Sequence, residues 1–291
     1  MSVEMSAETT LVTPVAVSRS RRSWPVWPTS LSIGTAILVL WVLSSAVLPL
    51  VLHRSAENVV YGTKLLAPSL IYPFGTDGLG RDVLIRTIVA FRYDIVIGLV
   101  SVGAAAVVGI LIGALAGSVP EWLDNLVMRI LDVISAFPSF ILALTLAAAL
   151  HPSMETVILS ISIVLIPLYA RGSRAAILAE RAKPYAEAAR AMAIPPVRIV
   201  LVHLLPNSLG PTLTQATMDV ANAIMIAAGL SFIGFGIQPP TPEWGLMINE
   251  GSSYIIDGQW WVSCFPGLAI LSLVIALFLL DDGLKRLRAG H

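Results

Sequence analysis

Apolar residues in this chain come in long unbroken runs, not in the one-sided stripe of a water-soluble helix. Leu31–Leu52 is the first run, and about 20 such residues suffice to cross a bilayer. Ile95–Val119 is the second, and its Gly109, Gly113 and Gly117 stand four apart, a spacing that lets membrane helices approach closely. Val133–Leu150 follows a polar turn, PEWLDN, and the stretch MRILDVISAFPSF, where Pro138 predicts a kink. Thr156–Tyr169 with its flanks is the fourth, interrupted by Pro167. Ser208–Phe232 and Trp261–Leu280 are the fifth and sixth. Six runs, without an internal repeat or a soluble domain, predict an all-α polytopic membrane protein with six transmembrane helices.

The polar segments between the runs carry the chemistry. Residues 1–30 are rich in Ser, Thr and Pro and read as a disordered tail. The run behind them is too long for a signal-peptide core and shows no cleavage site, so it reads as a span. Trp24, Trp27 and Trp41 are candidate interfacial anchors. Residues 53–93 contain FGTDGLGRDVLIRTIVAFRYD, whose glycines fit no phosphate-binding loop. Asp82 can cap a short amphipathic helix, Val83–Tyr93, lying at the membrane surface. The Gly- and Pro-rich stretch 230–251 excludes a regular helix and reads as a loop.

The chain pivots on Tyr185–Pro206, YAEAARAMAIPPVRIVLVHLLP. Pro184 suits a first helical turn, because its missing N–H costs nothing there. Glu187 to Met192 are helix formers, with Glu187 near the positive N-terminal end. Pro195 and Pro196 stop that helix; a second runs Val197–Leu205, and Pro206 marks its end. The plain reading of this elbow is a basic loop.

Composition agrees with the pattern. Of 291 residues, 56% are hydrophobic and 12% charged, and mean hydropathy is +0.84, whereas soluble domains carry about 25% charge. Eighteen basic residues balance eighteen acidic ones, so no nucleic-acid footprint is present. The single cysteine, Cys264, excludes a disulfide framework and reads as a buried thiol. With both termini inside, thirteen basic residues face the cytoplasm, six of them between Arg171 and Arg198, and five face outward: Arg54, Lys64, Arg81, Arg86 and Arg92. An ion-coupled secondary transporter would bury several ionisable groups in its spans, and Asp219 is the one acid well inside a run. An intramembrane enzyme would want a catalytic constellation at bilayer depth, whereas His53, His151, His203 and His291 lie at ends or in loops.

The elbow resembles the EAA loop of ABC-importer permeases through Glu187, Ala188, Ala189, Leu205 and Pro206. Ala193 stands where that family has Gly, and His203 where most members are aliphatic. The segment at 75–86 is similar to GTDxLGRDxLSR of the dipeptide/oligopeptide/nickel branch, with Ile85 in place of Ser. Asp124, Met128, Arg129, Asp132, Ala136, Phe137 and Pro138 fit a further segment of that branch. LSFIGFGIQPPTPEWGLM and FPGLAI are similar to its late signature, while Asp281 replaces a Gly. The resemblance spans roughly residues 70–290. It implies a type I ABC importer permease fold: tail 1–30, first span 31–52, segment 53–93, core 94–284 with coupling loop 173–206, and tail 285–291. It also implies a multi-pass subunit of the cytoplasmic membrane, carrying di- or oligopeptides, nickel or another small solute. The implied partners are a homologous second permease, two ATP-binding cassette subunits, an extracytoplasmic peptide-binding protein, peptide and lipid. ATP and Mg would sit on the ATPases. This chain lacks GxxxxGK[ST] and is expected to hold no cofactor, metal or catalytic residue. Glu187, Ala188, Ala189, Arg190, Ala193, His203 and Pro206 are the implied ATPase-coupling residues.

Gln215, Asp219 and Asn222 share one face of the fifth run by their i−4 and i+3 spacing. Polar groups on one face of an apolar helix must meet protein or water. Either they line a translocation pathway or they make a helix–helix polar contact with the partner permease.

The orientation is open to test by single cysteines in a Cys264→Ser background. Ser153→Cys and Ser252→Cys should react with an impermeant thiol reagent in intact cells, and Ala182→Cys should not. The reverse labelling pattern would invert the topology.

Overall fold

The computed structural model describes residues 28–59, 62–192 and 194–289. Among these the regular structure is helical: α1 Thr29–Leu52, α2 Val83–Ala116, α3 Glu121–Ser135, α4 Ser139–Ala149, α5 Met154–Arg181, α6 Pro184–Ala191, α7 Pro196–Arg198, a π-helical Ile199–Leu204, α8 Leu205–Thr214, α9 Ala216–Ile233, α10 Trp244–Ser252 and α11 Trp261–Ala289. Five of them, α1, α2, α5, α9 and α11, are long and apolar enough to cross a membrane. The pair α3 and α4, bent by 85°, makes a sixth span if taken together.

Several helices differ from the sequence expectation, each for a local reason. The amphipathic helix and the second run are one helix, α2, of 34 residues. At 1.5 Å per residue it is about 51 Å long, against about 30 Å of hydrocarbon, so it outlasts the membrane core by several turns. Its first turns do not lie on a surface: Val83, Ile85, Arg86 and Thr87 are buried against other segments. Asp82 caps it as expected, accepting from the N–H groups of Leu84 (2.9 Å) and Ile85 (3.3 Å), a cap worth about 1 kcal/mol. Pro138 does more than kink the third run; it separates α3 from α4. Pro167 does the opposite, sitting buried inside a continuous α5. Pro206 ends nothing. The turn before it widens, with the Leu205 N–H bonded five residues back to the Val200 carbonyl. The wider turn makes room for a ring that would clash with a normal α-helical carbonyl, and the helix runs on. The fifth run is two helices, α8 and α9, broken at Gln215. The stretch 230–251 contains α10, because its prolines all precede Trp244.

The core forms where α2 lies along α5, the most extensive helix pairing in the fold, with α9 and α11 closing around it. The glycine row of α2 makes that pairing possible. A Cβ on Gly109 would sit 2.6 Å from Cβ of Tyr169, and one on Gly113 would sit 2.1 Å from the Ala170 carbonyl oxygen. α1 packs on α11. Trp41 is no interfacial anchor. It stacks on Phe91 (centroids 5.6 Å apart) and donates from Nε1 to Ser272 Oγ at 3.0 Å. Trp24 and Trp27 lie outside the described residues. Cys264 is exposed, on the outside of α11, and not buried as its apolar context suggests.

Gly113→Ala should therefore force α2 and α5 apart and cost about 1–3 kcal/mol. Gly103→Ala, with no atom within 4 Å of the added carbon, should be neutral. Thermal melting of the detergent-solubilised chain distinguishes them, and equal melting would contradict the packing described.

Candidate functional site

The elbow is an exposed two-turn helix fastened at its back. α6 begins with Pro184 and turns Ala186 and Ala189 inward, 0% and 5% exposed, onto Ala114, Ile177, Ile199, Val200 and Leu204. Glu187, Ala188 and Arg190 face outward. Of the two alanines of the motif, one thus packs on its own subunit and only Ala188 is free to admit a close approach. Arg190 reaches back to the Arg181 carbonyl at 3.3 Å. His203 is half-buried in the π segment, with its carbonyl accepting from Asn207 Nδ2 at 2.8 Å, and Pro206 is exposed. Ala193 lies outside the described residues. Beside the charged face is an apolar one: Met192, Val197, Leu201 and Val202 are all exposed.

Polar ties hold the elbow to α5 and α5 to its neighbours. Glu180 accepts from Lys183 Nζ (2.7 Å) and from the Tyr185 hydroxyl (2.6 Å). The Glu180 carboxylate raises the Lys183 pKa, so this ammonium stays charged. Arg174 grips Asp124 with two bonds, 2.6 and 2.5 Å, joining α5 to α3. Arg181 donates to the Gly117 carbonyl at the end of α2.

The pathway candidates do not share one environment. Asp219 is 2% exposed and accepts from the Tyr169 hydroxyl of α5 at 2.7 Å. Gln215 is exposed at the α8–α9 break, and Asn222 is half-buried. Asp219 is also not alone inside a long helix, since Asp94 lies twelve residues into α2.

A second constellation went unread in the sequence. The segment before α2 and the α9–α11 connection close on one another as a clamp. Asp77 caps its own turn, accepting from the N–H groups of Leu79 and Arg81, each at 2.9 Å. Its Oδ2 meets Arg81 Nε at 2.6 Å and Arg86 Nε at 3.6 Å. Both arginines then meet Glu250 Oε2, at 2.8 and 3.1 Å. Arg86, 1% exposed, also donates to the carbonyls of Ala56 (3.3 Å) and Pro240 (3.4 Å). Arg54 lies over the Tyr72 ring and pairs with Asp82 at 2.6 Å. Indole donors close the clamp: Trp244 to the Thr87 carbonyl at 2.8 Å and Trp261 to the Thr76 carbonyl at 3.2 Å. Gly75, at φ 72°, turns the chain where a side chain would strike Trp261. The two motif segments were visible separately; their meeting, 164 residues apart from Arg86 to Glu250, was not.

Among the described residues, a helical bundle of five or six candidate spans, with a fastened elbow on one connection and a charged clamp on others, defines a multi-pass membrane protein. The fold is similar to that of a chain in inward-facing structures of the MetNI methionine ABC transporter. One such structure matches with a TM-score of 0.55 at 22% identity, over 72% of this chain and 96% of that one. This is the type I importer permease fold. The chain belongs to the family described as binding-protein-dependent transport system inner membrane component, whose model matches residues 109–288. It is 38% identical over 287 residues to the probable D,D-dipeptide transport system permease protein DdpC of Escherichia coli (strain K12), covering 97% of this chain and 96% of the relative. It is 43% identical over 211 residues to the di/tripeptide transport system permease protein DppC of Pseudomonas aeruginosa (strain UCBPP-PA14), covering 72% and 69%. It is thus an ABC-importer permease of the dipeptide/oligopeptide/nickel family.

Glu250→Ala should leave two buried arginines to share the single carboxylate of Asp77 and cost about 3–5 kcal/mol, because breaking a buried ion pair on one side is strongly destabilising. The readout is the melting temperature of the chain. A variant that melts with wild type would show the clamp to be ornamental.

Proposed function

We infer that this chain forms half of the translocation pathway of an ATP-driven peptide importer and receives the ATPase stroke through α6. The observation that carries the reading is the face of the elbow. A short helix is anchored by Ala186 and Ala189 and presents Glu187, Ala188 and Arg190 to solvent. Beside it lie Met192, Val197, Leu201 and Val202, exposed. An exposed apolar patch rimmed by charge marks a protein contact, and the EAA resemblance identifies the partner as an ATP-binding cassette subunit. The rigid ties from Glu180, Arg174 and Arg181 would carry displacement of that helix into α5, α3 and α2 without loss in a loose joint. Closure of two ATPases, which hold ATP and Mg, draws the coupling helices of this chain and a homologous permease together. The paired bundles then tilt and open to an extracytoplasmic binding protein.

The basic elbow sits in the cytoplasm by the charge asymmetry, which puts both termini inside and the clamp outside in a multi-pass protein of the cytoplasmic membrane. Relatives named for di- and tripeptides favour peptide over nickel as the cargo. Asp219 is bonded to Tyr169 within its own chain, which is neither a contact with a partner permease nor an open position on a pathway; Gln215 and Asn222 remain the pathway candidates.

Ala188→Trp should block close approach of the ATPase, and Glu187→Lys should reverse the charge at the positive helix end. Each should weaken docking by on the order of tenfold, or ~1.4 kcal/mol, and reduce peptide import into whole cells. Insertion of the subunit should be unchanged. Wild-type import and normal ATPase copurification in both variants would reduce the elbow to a plain loop.

A further inference from the structure

Two carboxylic acids lie side by side in the driest part of the clamp. Asp94 of α2 and Glu243, at the start of α10, are each 0% exposed and lie within hydrogen-bonding reach of each other. No cation answers them among the described residues. On α2, Arg86 is committed to Glu250 and Asp77, Arg92 donates to the Ser45 carbonyl, and Tyr93 packs into the apolar core. On α10, Glu250 belongs to the two arginines. α9 brings Ser231 Oγ beside Glu243, α11 brings Ser263, bonded to the Ile248 carbonyl, and α1 brings the Trp41 ring, 5.3 Å from that of Trp244.

Two negative charges at this separation in a low-dielectric site cannot both persist. One proton between them turns the repulsion into a charge-assisted hydrogen bond. The surrounding donors say which acid carries it. Both Glu243 oxygens are engaged as acceptors: Oε1 from the Gly245 N–H at 2.9 Å and Oε2 from the Leu246 N–H at 2.8 Å. Asp94 has only a long contact, from the Trp244 N–H to Oδ2 at 3.4 Å, and its Oδ1 meets no donor at all. An acid with an oxygen that meets no donor, beside a carboxylate already fixed by two N–H groups, is where a hydroxyl hydrogen belongs.

We propose that Asp94 and Glu243 form a proton site, with the proton resident on Asp94 and donated to Glu243, and that this bond fastens α10 to α2. Burial raises the Glu243 pKa on balance, against the lowering by the N–H groups of Leu246 and Gly245; it is the two N–H donors at its oxygens that make Glu243 the acceptor. The bond sits at the junction of the two signature segments. Any movement that lifts α10 from α2 must either break it or separate a proton from a buried carboxylate. Asp94 acts as a positioning residue. It holds the N-terminus of α10, and through it Glu250, in register with Arg81 and Arg86.

The sign of its pH dependence is fixed. In the unfolded chain both acids release their protons at about pH 4. In the folded chain one proton is kept. The folded state therefore binds more protons, and the stability due to the pair falls as pH rises above about 4 towards the folded pKa, by up to about tenfold in the folding equilibrium per pH unit.

The test uses the full-length chain purified with its partner subunits. Infrared spectra of wild type near neutral pH should contain the C=O band of a protonated carboxyl group, shifted in D2O. Asp94→Asn should lose that band, while Asp219→Asn should keep it. Asp94→Asn should also melt close to wild type, since its amide donates to Glu243 in the proton's place, and its melting temperature should depend less steeply on pH. Glu243→Gln should melt earlier, because its amide would meet the N–H of Gly245 or Leu246. Absence of the band from wild type, its survival in Asp94→Asn, or an Asp94→Asn less stable than Glu243→Gln would each overturn the assignment. So would a wild-type melting temperature that rises with sodium at constant ionic strength, which would put a metal cation where the proton is placed.

Discussion

A charge withdrawn from water must find its opposite, and that constraint organises one end of this molecule. Arg86 is almost wholly buried, and the cost of desolvating an arginine is several kcal/mol. It is met by Glu250, Asp77 and two carbonyls, drawn from three separate parts of the chain. Satisfying that one guanidinium fixes the segment before α2 against the connection between α9 and α11. Once those are fixed, Trp244 and Trp261 reach their carbonyls, and the outer turns of α2 have a wall to pack against. Removing the charge demand would leave two Gly-rich segments with little reason to adopt one geometry.

The bundle below obeys a different rule. Lipid is as apolar as leucine, so helices gain little there from hiding apolar surface, and close packing has to provide cohesion. The glycine row of α2 lets the backbone of α5 come near, and α5 leads directly into the elbow. The same helix thus takes part in the central packing and carries Arg174, Glu180 and Arg181 at its far end. Under the function proposed above, coupling is a matter of mechanical continuity. A push on α6 meets Glu180 and Ile177 before it meets anything soft.

The elbow shows how small residues serve two ends. Ala186 and Ala189 turn inward and let α6 sit flat on the π segment. Ala188, one position away, turns outward and leaves room for a neighbour. The widened turn at Ile199–Leu204 belongs to the same solution, since it lets Pro206 remain inside a helix that continues towards α9.

The sequence by itself determined the class of fold, because long apolar runs have few alternatives in a bilayer: their backbone groups must be satisfied within the segment. It also determined the starts of α2 and α6, where Asp82 and Pro184 act on their own neighbours. It marked the elbow and the two motif segments as special. What it left undecided were properties of pairs distant in the chain. Whether a proline ends, bends or merely sits within a helix depends on what surrounds it, and Pro138, Pro167 and Pro206 gave three different outcomes. Trp41, Cys264 and Asp219 were misplaced or ambiguous because a one-dimensional run does not say which side faces lipid. Asp94, Glu243 and Glu250 drew no notice, since a lone acid at the edge of an apolar run looks solvated until a second segment covers it. Only the tertiary structure brings α10 down onto α2, and it is that burial, not any local pattern, that turns ordinary carboxylates into partners for two arginines and for one another.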